Sequence, residues 1–172
     1  GIEMLIRKGK HSDIEQIMRI ISDAQQFLRE QGVDQWQDGY PTREIIEADI
    51  EQGYSFVVED ESAIPIAVAA ISPDGEPTYL TIRDGAWPND EPYVVIHRMA
   101  VCARMRGCGV AKMIFRAAEQ FARAHQIRNI RVDTHADNRT MQRLLDRLGF
   151  VRCGEITLSS GASRTAYIKI LD

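Results

Sequence analysis

The sequence lacks any long run of apolar residues and any closely paired cysteines. Its longest uncharged apolar run, Ala63 to Ile71, is about half the roughly 20 residues that a membrane-spanning helix needs. No basic segment followed by an apolar one opens the chain, and its three cysteines (Cys102, Cys108 and Cys153) form no CxxC pair. These absences predict a cytoplasmic protein in a reducing compartment, with no membrane segment, secretion signal or disulfide framework.

Repeats, low-complexity tracts and Gly/Ser-rich linkers are also missing, so we expect a single domain over residues 1–172. The histidines are scattered at His11, His97, His125 and His135, and no metal site is predicted from them. A pI of 5.6, with no stretch that interleaves basic and aromatic residues, disfavours nucleic acid as a partner. With 44% hydrophobic and 27% charged residues, the composition is that of a globular protein.

The net charge of −4 conceals an uneven distribution of charge along the chain. Between Glu30 and Glu61 there are ten acidic residues and one basic residue, Arg43, whereas between Arg98 and Arg131 there are eight basic residues and one acidic residue, Glu119. Two interpretations stay open. The charges form ordinary solvated helix faces, or they border a site that takes an anionic ligand on one side and a cationic ligand on the other.

Hydrophobic periodicity predicts alternating strands and helices along the chain in the order βααβββαβαββ. Helices are expected at about 12–31 (with a capping box of Ser12 and Glu15), at 42–52, from Val110 through Phe121, and from Asp137 or Asn138 to Leu148. Strands are expected at Ile2–Ile6, Tyr54–Glu59, Ile64–Ile71, Tyr93–Val101, Asn129–Thr134, Phe150–Leu158 and Ala166–Leu171, with Tyr79–Arg83 as a further short candidate.

The strand–helix–strand unit from Tyr93 to Thr134 implies one parallel pair joined by a right-handed crossover. The other strands follow one another closely enough to pair antiparallel. The predicted fold class is therefore α/β with α+β character: a mixed, mostly antiparallel central sheet flanked by about four helices.

The segment Arg104-Met105-Arg106-Gly107-Cys108-Gly109 joins a strong apolar strand to a helix that begins at Val110. Glycines at such a turn let backbone N–H groups approach a ligand, and the helix start adds unpaired donors and partial positive charge. This arrangement suits a pyrophosphate. No Gly-Lys-Ser/Thr follows, which excludes a P-loop, and Lys112 stands where a dinucleotide fingerprint would have its third glycine.

Preceded by His97-Arg98-Met99-Ala100-Val101, the pattern Arg104-x-x-Gly107-x-Gly109 resembles the acetyl-CoA motif of the GNAT N-acetyltransferase family. A second family block is similar to Asn138 through Gly149-Phe150, which ends in Leu-Gly-Phe. The two blocks stand in the family's order and spacing. The resemblance implies a fold in which the parallel strand pair splays to admit acetyl-CoA, and a dimer is common among such proteins.

The resemblance also implies roles for individual residues. The backbone of Met99, Ala100 and Val101 would pair with the pantetheine arm, and Asn138 would contact the pantetheine or the thioester end. Asn138 has an alternative role as a helix N-cap. Backbone amides would hold the pyrophosphate, with added charge from two arginines; this set comprises Arg104, Arg106, Gly107, Cys108, Gly109, Val110 and Ala111.

Catalytic groups are less well defined by the motifs. Leu145 stands where many family members have a tyrosine that protonates the leaving thiolate, and leucine cannot do so. His97 is the candidate base, because alternation along the strand places it on one face with Val95 and Met99, and imidazole titrates near neutral pH. Tyr93 is a second candidate. Simple packing is the alternative for both residues.

The loop between the first two helices is the candidate acceptor site, since this region walls the acceptor pocket in similar acetyltransferases. Trp36 and Tyr40 offer aromatic faces and Asp34 offers charge to a cationic amine, although the two rings could instead anchor the loop. The expected function is transfer of acetyl from acetyl-CoA to a small-molecule amine. Protein N-terminal or lysine acetylation and a non-catalytic acyl-CoA-binding module are the alternatives.

Overall fold

A computed structural model describes residues 3–172, whose helices and long strands follow the predicted order. The strands are β1 (Leu5–Lys8), β2 (Ser55–Glu59), β3 (Pro65–Ser72), β4 (Tyr93–Val101), β5 (Asn129–Thr134), β6 (Val151–Thr157) and β7 (Ser163–Ile170). The α-helices are α1 (Ile14–Glu30), α2 (Arg43–Glu51), α3 (Val110–Ala124) and α4 (Arg139–Arg147). None of the helices in residues 3–172 is long and apolar enough to cross a membrane.

The strands are hydrogen-bonded in the order β1-β2-β3-β4-β5-β7-β6. The pairs β1–β2, β2–β3, β5–β7 and β6–β7 are antiparallel, and β4–β5 is parallel. The parallel register runs from Tyr93↔Asn129 to Val95↔Arg131 and stops there, although β4 continues to Val101 and β5 to Thr134. The mixed sheet with one early-ending parallel pair confirms the predicted fold class.

The chain forms two compact units, each built from two separate segments. Unit 1 comprises Gly1–Ile71 and His97–Ala118, and unit 2 comprises Ser72–Ile96 and Glu119–Asp172. Strand β4 and helix α3 therefore each contribute residues to both units.

Unit 1 is built on an amphipathic helix and a fully buried strand. In α1, Ile14, Ile17 and Ile21 recur at intervals of three and four residues and are nearly inaccessible, because this spacing places them on one helix face. All eight residues of β3 are buried. This explains why the β3 sequence is an uninterrupted apolar run and does not alternate.

Unit 2 has its own apolar cluster, in which buried Tyr79, Val95, Ile156 and Ala166 pack together. Trp87 and Tyr93 pack against this cluster, with ring centroids 5.3 and 6.0 Å from that of Tyr79. The loop between β3 and β4 is thus held by aromatic packing.

Two local predictions are wrong. The short strand expected at Tyr79–Arg83 is absent from the described residues: Pro77–Tyr79 forms a 3-10 turn capped by Glu76, and Arg83 alone bridges to Glu155. Pro77 fixes φ and lacks an N–H, which favours the turn.

The capping box of Ser12 and Glu15 is the second wrong prediction. A 3-10 turn, His11–Asp13, precedes α1, and the Asp13 carboxylate accepts the Lys10 N–H at 2.8 Å. The same carboxylate also forms an ion pair with Arg7, and the sequence pattern does not predict this pair. The first strand begins at Leu5; Ile2, where it was predicted to start, lies outside the described residues.

Candidate active site

The loop between β4 and α3 has exposed glycines between buried anchors. A 3-10 turn, Ala103–Met105, follows β4, and Met105 and Val110 are buried on either side of the glycine segment. Gly107 and Gly109 have φ values of +79° and +80°, which side chains other than glycine rarely adopt. These backbone conformations therefore require glycine at both positions.

The same glycines face open space. An added Cβ at Gly107 or Gly109 would meet no atom within 4 Å, and both residues and Cys108 between them are exposed. The N-terminus of α3 begins at Val110, where the first N–H groups have no partner within the helix. An exposed, unobstructed loop that leads into a helix N-terminus fits an anionic phosphate group.

The two arginines of the loop are held by other parts of unit 1. The Arg104 guanidinium is mostly exposed and pairs with Asp60 at 3.1 Å. Arg106 donates to the carbonyl of Asp23 at 3.0 Å and lies over the Phe27 ring, 4.3 Å from its centroid. Arg106 therefore ties the loop to α1.

Strand β4 contains a left-handed residue just before the segment predicted to bind pantetheine. Arg98 has a φ of +52°, and among the described residues it is the one non-glycine residue inside a strand with a left-handed backbone. Beyond it, Met99 and Val101 are half-buried and Ala100 is buried. The shared face predicted for His97 and Met99 rests on regular alternation, which the left-handed residue between them breaks.

The Arg98 side chain makes a two-point ion pair. Its Nε and Nη2 donate to the two carboxylate oxygens of Asp49, on α2, at 2.7 and 2.6 Å, and its Nη1 donates to the Tyr40 hydroxyl at 3.0 Å. The Arg98 and Asp49 side chains are only 16% and 9% exposed. Burial is the largest single influence and lowers the pKa of Arg98, but the hydrogen bonds and charges of Asp49 and Tyr40 together outweigh it, so the pKa is raised.

The loop between α1 and α2 is anchored at several points in unit 1. The Tyr40 carbonyl accepts from Gln25 at 3.0 Å, and Gln37 donates to the Gln25 carbonyl at 3.0 Å. The Trp36 and Tyr40 rings meet edge to face at 6.4 Å, and Asp34 is exposed. Tyr40 is thus an anchor of the loop, as one of the sequence interpretations held.

Of the two candidate bases, His97 lies in unit 1 and Tyr93 in unit 2. His97 is half-buried. The Tyr93 hydroxyl accepts the N–H of Glu76 at 3.0 Å, and its ring lies 4.0 Å from the Arg131 guanidinium. These contacts give Tyr93 a packing role.

The second family block lies in unit 2. The Asn138 Oδ1 accepts the Met141 N–H at 3.2 Å and caps α4, which is the N-cap role that the sequence allowed. Leu145 is completely buried. The position that would hold the acidic tyrosine is therefore a packed core position in this chain.

Sequence reasoning missed a pair of polar groups in unit 2. The hydroxyl of buried Tyr79 donates to the Asp133 carboxylate at 2.6 Å, and burial raises the pKa of Tyr79 well above its ordinary value. Tyr79 and Asp133 are 54 positions apart, so no local pattern relates them.

Unit 1 contains the glycine loop, the β4 segment, the loop between α1 and α2, and His97; unit 2 contains Asn138 and Tyr93. Within residues 3–172, no group of three or more His, Cys, Asp or Glu side chains is arranged to hold a metal ion.

Comparison with known proteins gives consistent matches. Residues 15–150 match the acetyltransferase (GNAT) family. YesJ of Bacillus subtilis (strain 168), described as an uncharacterized N-acetyltransferase, is 27% identical over 143 residues, which cover 81% of this chain and 77% of YesJ.

Solved structures extend the match over nearly the whole chain. A GNAT-family acetyltransferase from Streptococcus agalactiae 2603 is 36% identical, with a TM-score of 0.87, and the match covers 98% of this chain and 96% of that one. A chain of the NatC complex bound to Gag peptide and CoA shares the fold alone, at 17% identity and a TM-score of 0.70 over 99% of each chain.

Proposed function

Since the chain belongs to the acetyltransferase (GNAT) family, we propose that it transfers the acetyl group of acetyl-CoA to the amine of a small molecule. The observation that carries the proposal is the loop of Gly107 and Gly109, exposed and left-handed, directly before α3. The family match over residues 15–150 takes in parts of both compact units, so the proposal treats the chain as one acetyltransferase domain.

The donor site is proposed to lie along the end of β4 and the glycine loop. The pyrophosphate of acetyl-CoA is held by backbone N–H groups of residues 104–111 and by the N-terminus of α3, where unpaired donors and the helix dipole favour negative charge. The pantetheine arm pairs with the backbone of Met99–Val101, beyond Val95, where the parallel register ends. Support for a CoA donor comes from the shared fold of the CoA-bound NatC chain.

Transfer is proposed to proceed by direct attack of the amine. The acceptor loses its ammonium proton, its nitrogen attacks the thioester carbonyl carbon, a C–N bond forms and the C–S bond breaks. Backbone N–H groups of β4 stabilise the negative charge that develops on the carbonyl oxygen. As the C–S bond breaks, the nitrogen gives up its second proton to solvent, and the CoA thiolate takes up a proton from solvent, because Leu145 is buried and has no proton to give.

His97 is the proposed base for the ammonium proton, acting directly or through water. The loop between α1 and α2 is the proposed acceptor wall, with Asp34 exposed and the Trp36 ring held against Tyr40. A carboxylate and an aromatic face are the groups that attract a protonated amine.

The test is release of CoA from acetyl-CoA in the presence of separate panels of small primary amines and of peptides with free N-termini or lysines. Calorimetry measures acetyl-CoA binding in parallel, and Gly109→Asp is the donor-site control. Turnover with a small amine that is lost in the control supports the proposal. Turnover with peptides alone establishes protein acetylation instead, and acetyl-CoA binding without turnover in either panel identifies a non-catalytic binder.

A further inference from the structure

The left-handed backbone conformation at Arg98 is strained and has to be held by the surrounding structure. A residue with a Cβ pays a conformational cost at a φ of +52°, and such residues persist only where the surrounding structure holds them. Arg98 is inside β4, next to the backbone of Met99–Val101. Its conformation therefore sets the direction of the peptide groups that the proposed donor site uses.

The support comes from the Arg98 side chain itself. A guanidinium that bonds both oxygens of one carboxylate is fixed in position and in orientation, which a single-point contact would not achieve. Asp49 supplies this carboxylate from α2, and the Tyr40 hydroxyl accepts the third bond from the loop between α1 and α2. Arg98, Asp49 and Tyr40 all belong to unit 1, as does β4 from His97 onward.

We infer that Arg98 is a positioning residue, whose fork to Asp49 and Tyr40 holds the turned backbone of β4 in the geometry needed for acetyl transfer. The inference rests on the proposed function. The bond to Tyr40 joins the proposed acceptor loop to β4, along which the acyl arm is proposed to lie, so Arg98 also fixes the amine side relative to the acyl side. Arg98 acts through the backbone and Tyr40, and itself touches neither substrate.

Substitution by alanine and by glycine separates this role from a simple contribution to stability. Both variants remove the fork, but glycine adopts a positive φ without cost whereas alanine does not. We expect Arg98→Ala to lower kcat by roughly 10- to 100-fold, the loss that a small misplacement of reacting groups produces. The KM for acetyl-CoA should rise by a smaller factor than kcat falls, because the pyrophosphate loop is untouched although the Met99–Val101 backbone shifts. Arg98→Gly should have a higher kcat than Arg98→Ala.

Arg7→Ala is the matched control. Arg7 makes a similar fork to Asp13, at 2.8 and 3.0 Å, with side chains 24% and 8% exposed. We expect this variant to melt at a lower temperature and to keep the wild-type kcat. If Arg98→Ala does not fold, the comparison is made between alanine and glycine at position 98 in the Asp49→Ala background, which leaves no buried carboxylate unpaired.

Crystal structures of the two position-98 variants give a readout that does not depend on activity. An extended φ at position 98 in Arg98→Ala and a positive φ in Arg98→Gly show that the fork holds the backbone of β4. This result stands even if the wild-type protein transfers no acetyl group, an outcome that would refute the proposed function and leave the fork a structural role alone. A left-handed backbone retained in Arg98→Ala, or equal kcat values for the two folded variants, would overturn it.

Discussion

Substitution of Gly109 tests the proposed donor site, and the structure sets the expected size of the loss in acetyl-CoA affinity. The φ of +80° costs a residue with a Cβ about 1–2 kcal/mol, and an added Cβ meets no atom within 4 Å, so Gly109→Ala introduces strain without a clash. A strained loop relaxes in the free protein and has to be restored on binding. We therefore expect acetyl-CoA affinity to fall by roughly 5- to 30-fold.

Gly53→Ala is the matched control for this strain. Gly53 has a φ of +78°, and its added Cβ would have one neighbour, the Lys8 Nζ, at the ordinary contact distance of 3.8 Å. It lies between α2 and β2, away from the loop in sequence. Chemical denaturation should show no larger loss in free energy of unfolding for Gly109→Ala than for Gly53→Ala, because the Gly109 loop relaxes in the free protein, while calorimetry shows weaker acetyl-CoA binding for Gly109→Ala alone.

Comparison of Gly109→Asp with Gly109→Asn isolates the effect of a negative side-chain charge on acetyl-CoA affinity. The two side chains have nearly the same size, but a carboxylate about 4 Å from a phosphate in water adds about 1 kcal/mol of repulsion. We expect Gly109→Asp to bind acetyl-CoA about fivefold more weakly than Gly109→Asn, more than tenfold more weakly than wild type, and with a difference that shrinks in high salt. A folded Gly109→Asp protein with wild-type affinity would refute the placement of the pyrophosphate at this loop.

Three further predictions concern single side chains. Cys108 is exposed, whereas burial raises the pKa of Cys153, so iodoacetamide should modify Cys108 first. Bound acetyl-CoA should protect Cys108 from this modification, and a lack of protection would contradict the proposed donor site. Arg7 lowers the pKa of Asp13, so the ion pair stabilises the fold fully above about pH 4, and this contribution is lost as the pH falls through the depressed value. Asp13→Asn should therefore cost about 1–3 kcal/mol at pH 7 in denaturation experiments, and a difference at pH 2 as large as that at pH 7 would contradict this account. His97→Ala should lower kcat/KM roughly 100-fold at pH 7, with a smaller loss at high pH where the amine is already neutral, and an unchanged pH–rate profile would transfer the base role to water.

Much of the fold could be predicted because its signals are local. The predicted bounds of β4 and β5, Tyr93–Val101 and Asn129–Thr134, match the structure to the residue. Asn138 was one of two candidate caps for α4, and its residue type allowed the N-cap role that the structure shows. The start of β7 was missed by three residues, since Arg164 and Thr165 are polar and yet buried; Thr165 pairs with both β5 and β6, and Arg164 pairs with β6.

The candidate site likewise has one part that local sequence signals predict and one part that they do not. The glycine loop and the start of α3 are consecutive in sequence and were predicted together. The Arg98 fork was not, because its partners Asp49 and Tyr40 are 49 and 58 positions away and a left-handed arginine leaves no trace in the residue pattern. Those contacts arise from tertiary packing, and they also removed the alternation from which the orientation of His97 had been predicted.

Neither compact unit corresponds to a continuous stretch of the gene. The chain passes between the units at 71/72, at 96/97 and at 118/119. A break introduced anywhere from residue 72 to residue 118 therefore leaves two fragments that each carry incomplete portions of both units. Limited proteolysis in this interval, or a split-protein design that divides the chain there, should yield pieces that acquire a complete core only when they reassemble.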